Sequence, residues 1–138
     1  MTAFGGWNRL PEVARIGDVD PSSYLYNWCE RGTLVAISMI HQQAFRNYRD
    51  MIVRDDIPNA GIDDWVVQVG DLVAVQSVVN RIDIWDLVEA DDELSEYLAN
   101  WLCLGWTRTV KSQFPELEIV VDVNKETNGY GVTLFRVF

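Results

Sequence analysis

The spacing of apolar residues changes at Pro115, and this change constrains the fold more than any other feature of the sequence. Before Pro115, apolar residues recur three and four positions apart, as in Leu94, Leu98 and Leu102, which is the period of an amphipathic helix. Over residues 117–124, apolar and polar residues largely alternate, which is the period of a strand. Helices followed by strands predict the α+β class.

The dipeptide Asn128-Gly129 predicts a tight hairpin near the end of the sequence, because these residues favour the positive φ angles of a two-residue turn. Both faces of this antiparallel hairpin carry apolar residues, so we expect helices to cover at least one face. Residues 51–54 are either a third strand of the same sheet or the end of the preceding helix. The predicted cross-strand pairs are Val123 with Leu134, Ile119 with Phe138, and Val120 with Val137.

About four helical segments precede the hairpin. One runs from Thr33 to about Arg46, with Phe45 on its apolar stripe. Gly70-Asp71 is typical of a helix end followed by a new N-cap. The last helix begins at Asp91-Asp92 and stops at Pro115, because proline has no N–H group to continue it. The residues expected to face the core from this helix are Leu94, Tyr97, Leu98, Trp101, Leu102, Gly105 and Phe114.

The length of 138 residues suits a single domain, and we interpret residues 1–138 as one domain with an extended arm over residues 1–19. The sequence has no run of about 18 apolar residues, which a membrane-spanning helix requires, and its first residues do not have the pattern of a secretory leader. Cys29 and Cys103 lie among apolar residues, without zinc or redox spacing. These features predict a cytoplasmic protein with two reduced thiols.

Negative charge is concentrated in the middle of the sequence. The chain has 21 acidic and 11 basic residues, a formal charge of −10. Residues 55–96 hold twelve of the acids and one base, Arg81, a formal charge of −11, so the remainder is close to neutral. Helix capping explains some of these acids, but it does not explain the lack of lysine and arginine that normally intersperse with them. Such a field steers basic partners and argues against binding to nucleic-acid phosphates.

No recognisable set of catalytic or metal-ligating residues is present. The one histidine, His41, lies in an apolar stripe without a nucleophile motif around it. The acids at 91–93 do not follow the alternating spacing of an EF-hand loop, and no central glycine separates them. The sequence therefore predicts a protein that is not an enzyme and that uses no metal and no cofactor.

The acids crowd most closely around the junction between two predicted helices. Trp85 lies in the middle of this group, where it would supply the apolar anchor that charge alone does not provide. We therefore predict a partner-binding surface there. Its residues are Asp83, Trp85, Asp86, Glu89, Asp91 and Asp92.

Residues 33–138 resemble a pattern found in small bacterial proteins. The pattern combines the stretch 78–87, Val-Val-Asn-Arg-Ile-Asp-Ile-Trp-Asp-Leu, with Glu96-Tyr97-Leu98, a helix closed by Phe114-Pro115, and a terminal hairpin. A small acidic α+β protein without catalytic residues is similar to the immunity proteins of bacterial toxin systems. The resemblance implies a cytoplasmic immunity or inhibitor protein that neutralises a basic partner, such as a toxin domain, without contacting nucleic acid or a membrane directly.

Two other functions stay open at this point. One is a small-molecule enzyme whose site has no recognisable motif. The other is an oligomeric structural or adaptor protein that associates through the edge of its hairpin. The sequence does not specify an oligomeric state.

Overall fold

The computed structural model describes residue 22 and residues 29–138. It confirms the α+β class, with helices, a C-terminal hairpin and antiparallel sheets. The chain groups into two compact units, residues 1–40 and 41–138. That residues 1–138 form one domain stays a prediction, and the arm expected over 1–19 lies outside the described residues. The elements are α1 (Arg31–His41), β1 (Phe45–Tyr48), β2 (Met51–Arg54), α2 (Asn59–Val69), α3 (Leu72–Val79), β3 (Ile82–Asp83), a 3₁₀ turn (Ile84–Asp86), α4 (Asp92–Gln113), β4 (Ile119–Glu126) and β5 (Gly129–Arg136).

The helix predicted to reach Arg46 ends at His41 instead, and it buries none of its residues. The chain then enters a hairpin in which β1 pairs antiparallel with β2. Its two turn residues, Arg49 and Asp50, have φ angles of 53° and 66°, as expected for a turn that matches the twist of the flanking strands. Phe45 belongs to this hairpin and packs edge-on against Trp106, with ring centroids 5.4 Å apart.

Helices α2 and α3 are separated as the sequence predicted. Gly70 ends α2 with a φ of 79°, a conformation that glycine adopts without a steric penalty. The Asp71 side chain then accepts a hydrogen bond from the Val73 N–H and caps α3. The two helices cover the β1–β2 hairpin with a cluster of buried apolar residues: Met51, Val53, Ile62, Val75 and Val79.

Helix α4 also begins and ends where predicted. The Asp91 carboxylate accepts a hydrogen bond from the Leu94 N–H at 2.9 Å, and the helix stops at Gln113, before Pro115. Its buried face differs in part from the expectation, because Trp106 is fully buried and Trp101 only partly so. The buried residues of α4 are Ser95, Ala99, Leu102, Gly105, Trp106 and Val110.

Strands β4 and β5 form the predicted hairpin, but in a register shifted by two residues. Val123 lies opposite Val132 rather than Leu134, and the turn residues are Thr127 and Asn128. The expected pairs Ile119–Phe138 and Val120–Val137 are replaced by Ile119–Arg136 and Val120–Phe135. A shift of two residues keeps every side chain on its expected face.

Residues 51–54 form a strand rather than the end of the preceding helix, but this strand does not join the sheet of the C-terminal hairpin as predicted. The third strand there is β3, and the sheet order is β3-β5-β4. Two fully buried amides, one within α3 and one at its C-cap, occupy the space between β2 and β5 instead. Gln76 Oε1 accepts from the N–H groups of Ile52 and Arg136, at 3.0 and 2.8 Å.

The second amide, Asn80, lies one helical turn further on. Its Oδ1 accepts from Arg54 N at 2.9 Å, and its Nδ2 donates to the carbonyls of Ile52 and Leu134, each at 2.8 Å. The two side chains therefore replace a backbone ladder between β2 and β5, and they satisfy buried groups that would otherwise be unpaired. We refer to Gln76 and Asn80 as the amide bridge.

Candidate partner-binding surface

The segment between β3 and α4 presents apolar side chains to solvent. Ile84 is fully buried and fixes the 3₁₀ turn to the core, whereas Trp85, Leu87 and Val88 are 39, 44 and 42% exposed. Three large apolar residues in four positions form a concentrated exposed patch. Such a patch, when rimmed by polar residues, is typical of a protein-interaction site.

Acidic residues surround this patch. Asp86, Glu89, Asp91 and Asp92 are all exposed, so five of the six residues predicted for this surface, including Trp85, lie on one short stretch with access to solvent. Asp91 has a structural role as well, because it caps α4. We call residues 85–92 the Trp85 surface.

The sixth predicted residue, Asp83, is engaged elsewhere. Its carboxylate pairs with Arg81 Nε at 2.7 Å, and both side chains are only about a fifth exposed. Arg81 also donates to Asn124 Oδ1 at 2.8 Å and lies 3.2 Å from Glu126 Oε1. Since the guanidinium connects β3 with β4 across β5, Asp83 is part of a structural ion pair rather than a free acid of the surface.

The same network holds the one basic residue of the acidic window in an ion pair and leaves only about a fifth of its side chain exposed. The Arg81 guanidinium lies over Gly131, where a Cβ atom would come within 2.6 Å of Arg81 Nη2 and of Asp83 Oδ1. No larger residue fits at this position without displacing the ion pair. The Trp85 surface therefore has no cation from its own segment to offset its carboxylates.

A cavity of about 230 Å³ opens beside Trp85. The turn of the C-terminal hairpin forms its other wall, with the Trp85 ring packed near Gly129. Aromatic rings and carboxylates therefore line the same space. The lining residues are Trp85, Val88, Glu89, Ala90, Asp92, Ser95, Asn128, Gly129 and Tyr130.

One intramolecular contact shows how this wall accommodates a cation. Lys125 Nζ lies 3.3 Å from Asp92 Oδ2 and 5.5 Å from the centroid of the Tyr130 ring. The hydrogen bond to Asp92 raises the pKa of the Lys125 ammonium group. The Tyr130 hydroxyl donates to Glu96 Oε2 at 3.2 Å, and burial together with the Glu96 charge raises the pKa of the phenol. A positive charge is stabilised here by carboxylates and by an aromatic face.

Sequence reasoning did not assign Glu96, Lys125 and Tyr130 to this surface. Lys125 and Tyr130 come from the hairpin, about 40 residues beyond Trp85, and only the tertiary fold brings them to α4. The one signal in the sequence was the hairpin turn, because a turn at residues 127–128 brings the strand ends on either side of it, and with them Lys125 and Tyr130, close together. The sequence did not indicate that these two residues pack near the start of α4.

The histidine, the cysteines and the acidic side chains of the described residues do not form a recognisable catalytic or metal-binding group. The His41 ring stacks on Trp101 with centroids 4.3 Å apart. Within residues 29–138, no three histidine, cysteine or acidic side chains are grouped so that they could hold a metal ion. Cys29 and Cys103 are free thiols. No helix of the described part of the chain combines the length and the apolar character needed to cross a membrane.

Comparisons of the chain with protein-family models, with curated proteins and with solved structures found no match. The Trp85 surface and the charge distribution are therefore the features of the molecule that bear on its function.

Proposed function

We propose that this protein is an acidic binding module, an immunity or inhibitor protein of the cytoplasm that neutralises a basic partner such as a bacterial toxin domain. The observation that carries the proposal is the exposed Trp85 patch, which stands inside a stretch of exposed carboxylates while Arg81, the one base of the acidic window, is held in a structural ion pair. An aromatic anchor ringed by charge is typical of an interface that both attracts and holds its partner.

The geometry suggests how binding would proceed. The field of residues 55–96 attracts a cationic protein from a distance, since its formal charge is −11 and Debye screening acts over about 8 Å at physiological salt. Trp85, Leu87 and Val88 then lose their remaining contact with water. A lysine or arginine side chain of the partner fits the cavity between Trp85 and Tyr130, where Glu89 is available as a counter-ion. An inhibitor of this kind acts by occupying the basic surface that its partner uses for its substrate.

The test compares two variants of equal charge. In the first, Asp86→Lys and Glu89→Lys reverse the charge of the Trp85 surface. In the second, Asp64→Lys and Glu116→Lys make the same change in net charge on exposed residues elsewhere. The protein is used to capture its partner from cells that contain it, and association of the purified pair is then measured at several salt concentrations.

We expect the first variant to associate about tenfold more slowly or worse, because charges at an interface act mainly on the association rate. The second should stay within about threefold of the unmodified protein, since only the general field changes. Added salt should slow association of the unmodified protein, and an enzymatic activity of the partner should be lost on binding. An acidic partner, equal effects of the two variants, or association that is independent of salt would overturn the proposal.

A further inference from the structure

The outer edge of β4 has no strand beside it within residues 29–138. The sheet order places β4 at the edge, paired only with β5 over eight consecutive residue pairs. Val137 N donates to Glu118 O at 2.9 Å, so Glu118 and Val137 are a hydrogen-bonded pair. In an antiparallel ladder every second pair along the strand is then hydrogen-bonded as well. The peptide groups of even-numbered residues therefore point toward β5. Those of Ile119, Val121, Val123 and Lys125 point outward, where they can pair with another strand.

This edge lacks several of the features that usually prevent strand addition, and the exposed charges that it does carry are mainly acidic, so they oppose acidic strands rather than basic ones. Natural edges are protected by proline, by bulges or by lysine side chains at the edge. Residues 119–126 contain no proline, and their pairing with β5 has no bulge. The one lysine of the strand, Lys125, is directed to Asp92 of α4. An edge of eight residues, whose outward peptide groups have no neighbouring strand within residues 29–138, is therefore open to pairing with a strand that is not acidic.

On one face of the sheet, an apolar groove runs alongside this edge. It has a volume of about 560 Å³ and lies between the C-terminal half of α4 and the beginning of β4. An added strand would direct every second side chain into this groove, because side chains alternate between the faces of a sheet. The lining residues are Thr107, Val110, Lys111, Phe114, Pro115, Leu117, Glu118, Ile119, Val120 and Val121.

On the other face, the strand carries exposed acids. Glu118 and Asp122 lie four residues apart, about 13 Å along the strand, with the partly exposed Val120 between them. A strand added antiparallel brings its own side chains directly opposite these three residues. Opposite charges in such positions stabilise the pair and like charges destabilise it. The added strand should therefore carry basic residues at two positions four apart, with a neutral residue between them.

The same acids disfavour a second copy of this chain. Two β4 strands related by a two-fold axis normal to the sheet pair even-numbered residues with even-numbered ones. A register centred on Val120 places Glu118 opposite Asp122, and one centred on Asp122 places two copies of Asp122 opposite each other. The intermediate register, centred on Val121, places Asp122 opposite Val120. The first two arrangements bring like charges directly opposite each other, which destabilises the pair, and the third leaves Asp122 opposite an apolar side chain without a counter-charge.

We propose that the outer edge of β4 binds an extended segment of another protein by strand addition, and that this segment alternates neutral side chains for the groove with basic side chains opposite Glu118 and Asp122. This mode draws its affinity from backbone hydrogen bonds and its selectivity from alternate side chains. It uses a surface separate from the Trp85 surface and does not depend on the function proposed above.

The experiment uses the full chain and two peptides with blocked ends. The first is Thr-Lys-Val-Thr-Val-Lys-Thr, and the second has glutamate in place of both lysines. Binding is measured by NMR titration, in which the amide signals of β4 and α4 should shift. We expect the lysine peptide to bind at least about tenfold more tightly than the glutamate peptide. Asp122→Lys should reverse or abolish this preference, and the matched change Asp64→Lys should leave it intact.

A second pair of variants tests the role of the backbone. Val121→Pro removes an outward N–H group that β5 does not use, and edge strands tolerate proline at such positions. It should weaken binding about tenfold or more, whereas Val121→Ala, which keeps the N–H group, should weaken it less than about threefold. Equal affinity for the two peptides, retention of the preference in Asp122→Lys, or shifts confined to residues 85–92 would overturn the proposal. So would a dimer of the unmodified protein that dissociates on Val121→Pro, since a second copy would then occupy the edge.

Discussion

Replacing Asn80 with alanine should destabilise the protein more than any surface substitution, because one side chain satisfies three buried backbone groups. These are the N–H of Arg54 and the carbonyls of Ile52 and Leu134. Leaving a buried polar group unpaired costs about 1–3 kcal/mol. The backbone of Asn80 is helical, with φ −88° and ψ −6°, so alanine itself causes no strain.

The expected loss is about 3–6 kcal/mol in the free energy of unfolding, since water that enters the vacated space restores some of the lost hydrogen bonds. That is a large part of the 5–15 kcal/mol typical of a domain. The measurement is urea denaturation followed by circular dichroism, with Gln68→Ala as a control on the exposed part of α2. The control should change stability by less than about 0.5 kcal/mol. A loss below about 1 kcal/mol for Asn80→Ala, with an unchanged denaturant slope, would refute the bridging role.

The variant Asn80→Asp tests the same role of residue 80 through the pH dependence of its stability. The carboxylate keeps an acceptor for Arg54 N, but it faces the carbonyls of Ile52 and Leu134 without a hydrogen to donate. Burial and this repulsion should raise the pKa of the new carboxyl in the folded state above its unfolded value of about 3.9. Folding then favours the protonated acid, so the stability of the variant relative to the unmodified protein should be highest below about pH 4 and should fall as the pH rises from there. A variant that gains stability relative to the unmodified protein between pH 4 and 7 would contradict this assignment.

Three further predictions concern separate parts of the chain. Gly131→Ala should destabilise the protein by about 1–3 kcal/mol, because the new Cβ meets the Arg81 guanidinium; a melting temperature equal to that of the unmodified protein would contradict it. Asp50→Gly should stabilise by about 1 kcal/mol, since glycine adopts the φ of 66° without strain, and urea denaturation would show an unchanged or lower midpoint if this were wrong. Burial raises the pKa of the Cys103 thiol, so in Cys29→Ser the remaining thiol should react slowly with iodoacetamide at neutral pH and faster as the pH rises; reaction as fast as in the urea-unfolded chain would disprove this.

Local signals in the sequence predicted both ends of α4 and the break between α2 and α3, but not the end of α1 at His41. Asp91 and Pro115 delimit α4 within one or two residues, and Gly70-Asp71 separates α2 from α3. These signals depend on single residues that satisfy or remove a backbone hydrogen bond, and such effects do not need tertiary contacts. Helix ends of this kind can therefore be predicted from the sequence alone.

The hairpins show where local signals fail. The turn at Arg49-Asp50 has no glycine or asparagine, and the positive φ of Arg49 could not be expected from residue type. The structure stabilises it with later parts of the chain, since Arg49 pairs with Asp63 at 3.0 Å and Arg136 donates to the Asp50 carbonyl. In the second hairpin, Asn128-Gly129 correctly indicated a turn. The turn residues are Thr127 and Asn128, one position earlier than predicted, so the predicted strand register was wrong by two residues.

The candidate surface was predictable in its charge but not in its shape. Counting acids located the stretch around Trp85, because charge density is a property of the sequence. The ion pair that engages Asp83 joins neighbouring residues, but the contact of Arg81 with Asn124 and the contact of Tyr130 with Glu96 both span more than 30 residues of sequence. The amide bridge was missed for the same reason, since Gln76 in an apolar helix has no local indication of the strands that it joins.

The amide bridge also determines which parts of the protein open together. In an ordinary sheet, a strand at the margin frays alone, and its amide hydrogens exchange with solvent early. Here the N–H groups of Ile52 and Arg54 are bonded to side chains of α3, and the same side chains hold β5. Exchange at these two amides therefore requires β2 to separate from side chains that also hold β5, so we expect β2, α3 and β5 to open together although no backbone ladder joins β2 to β5.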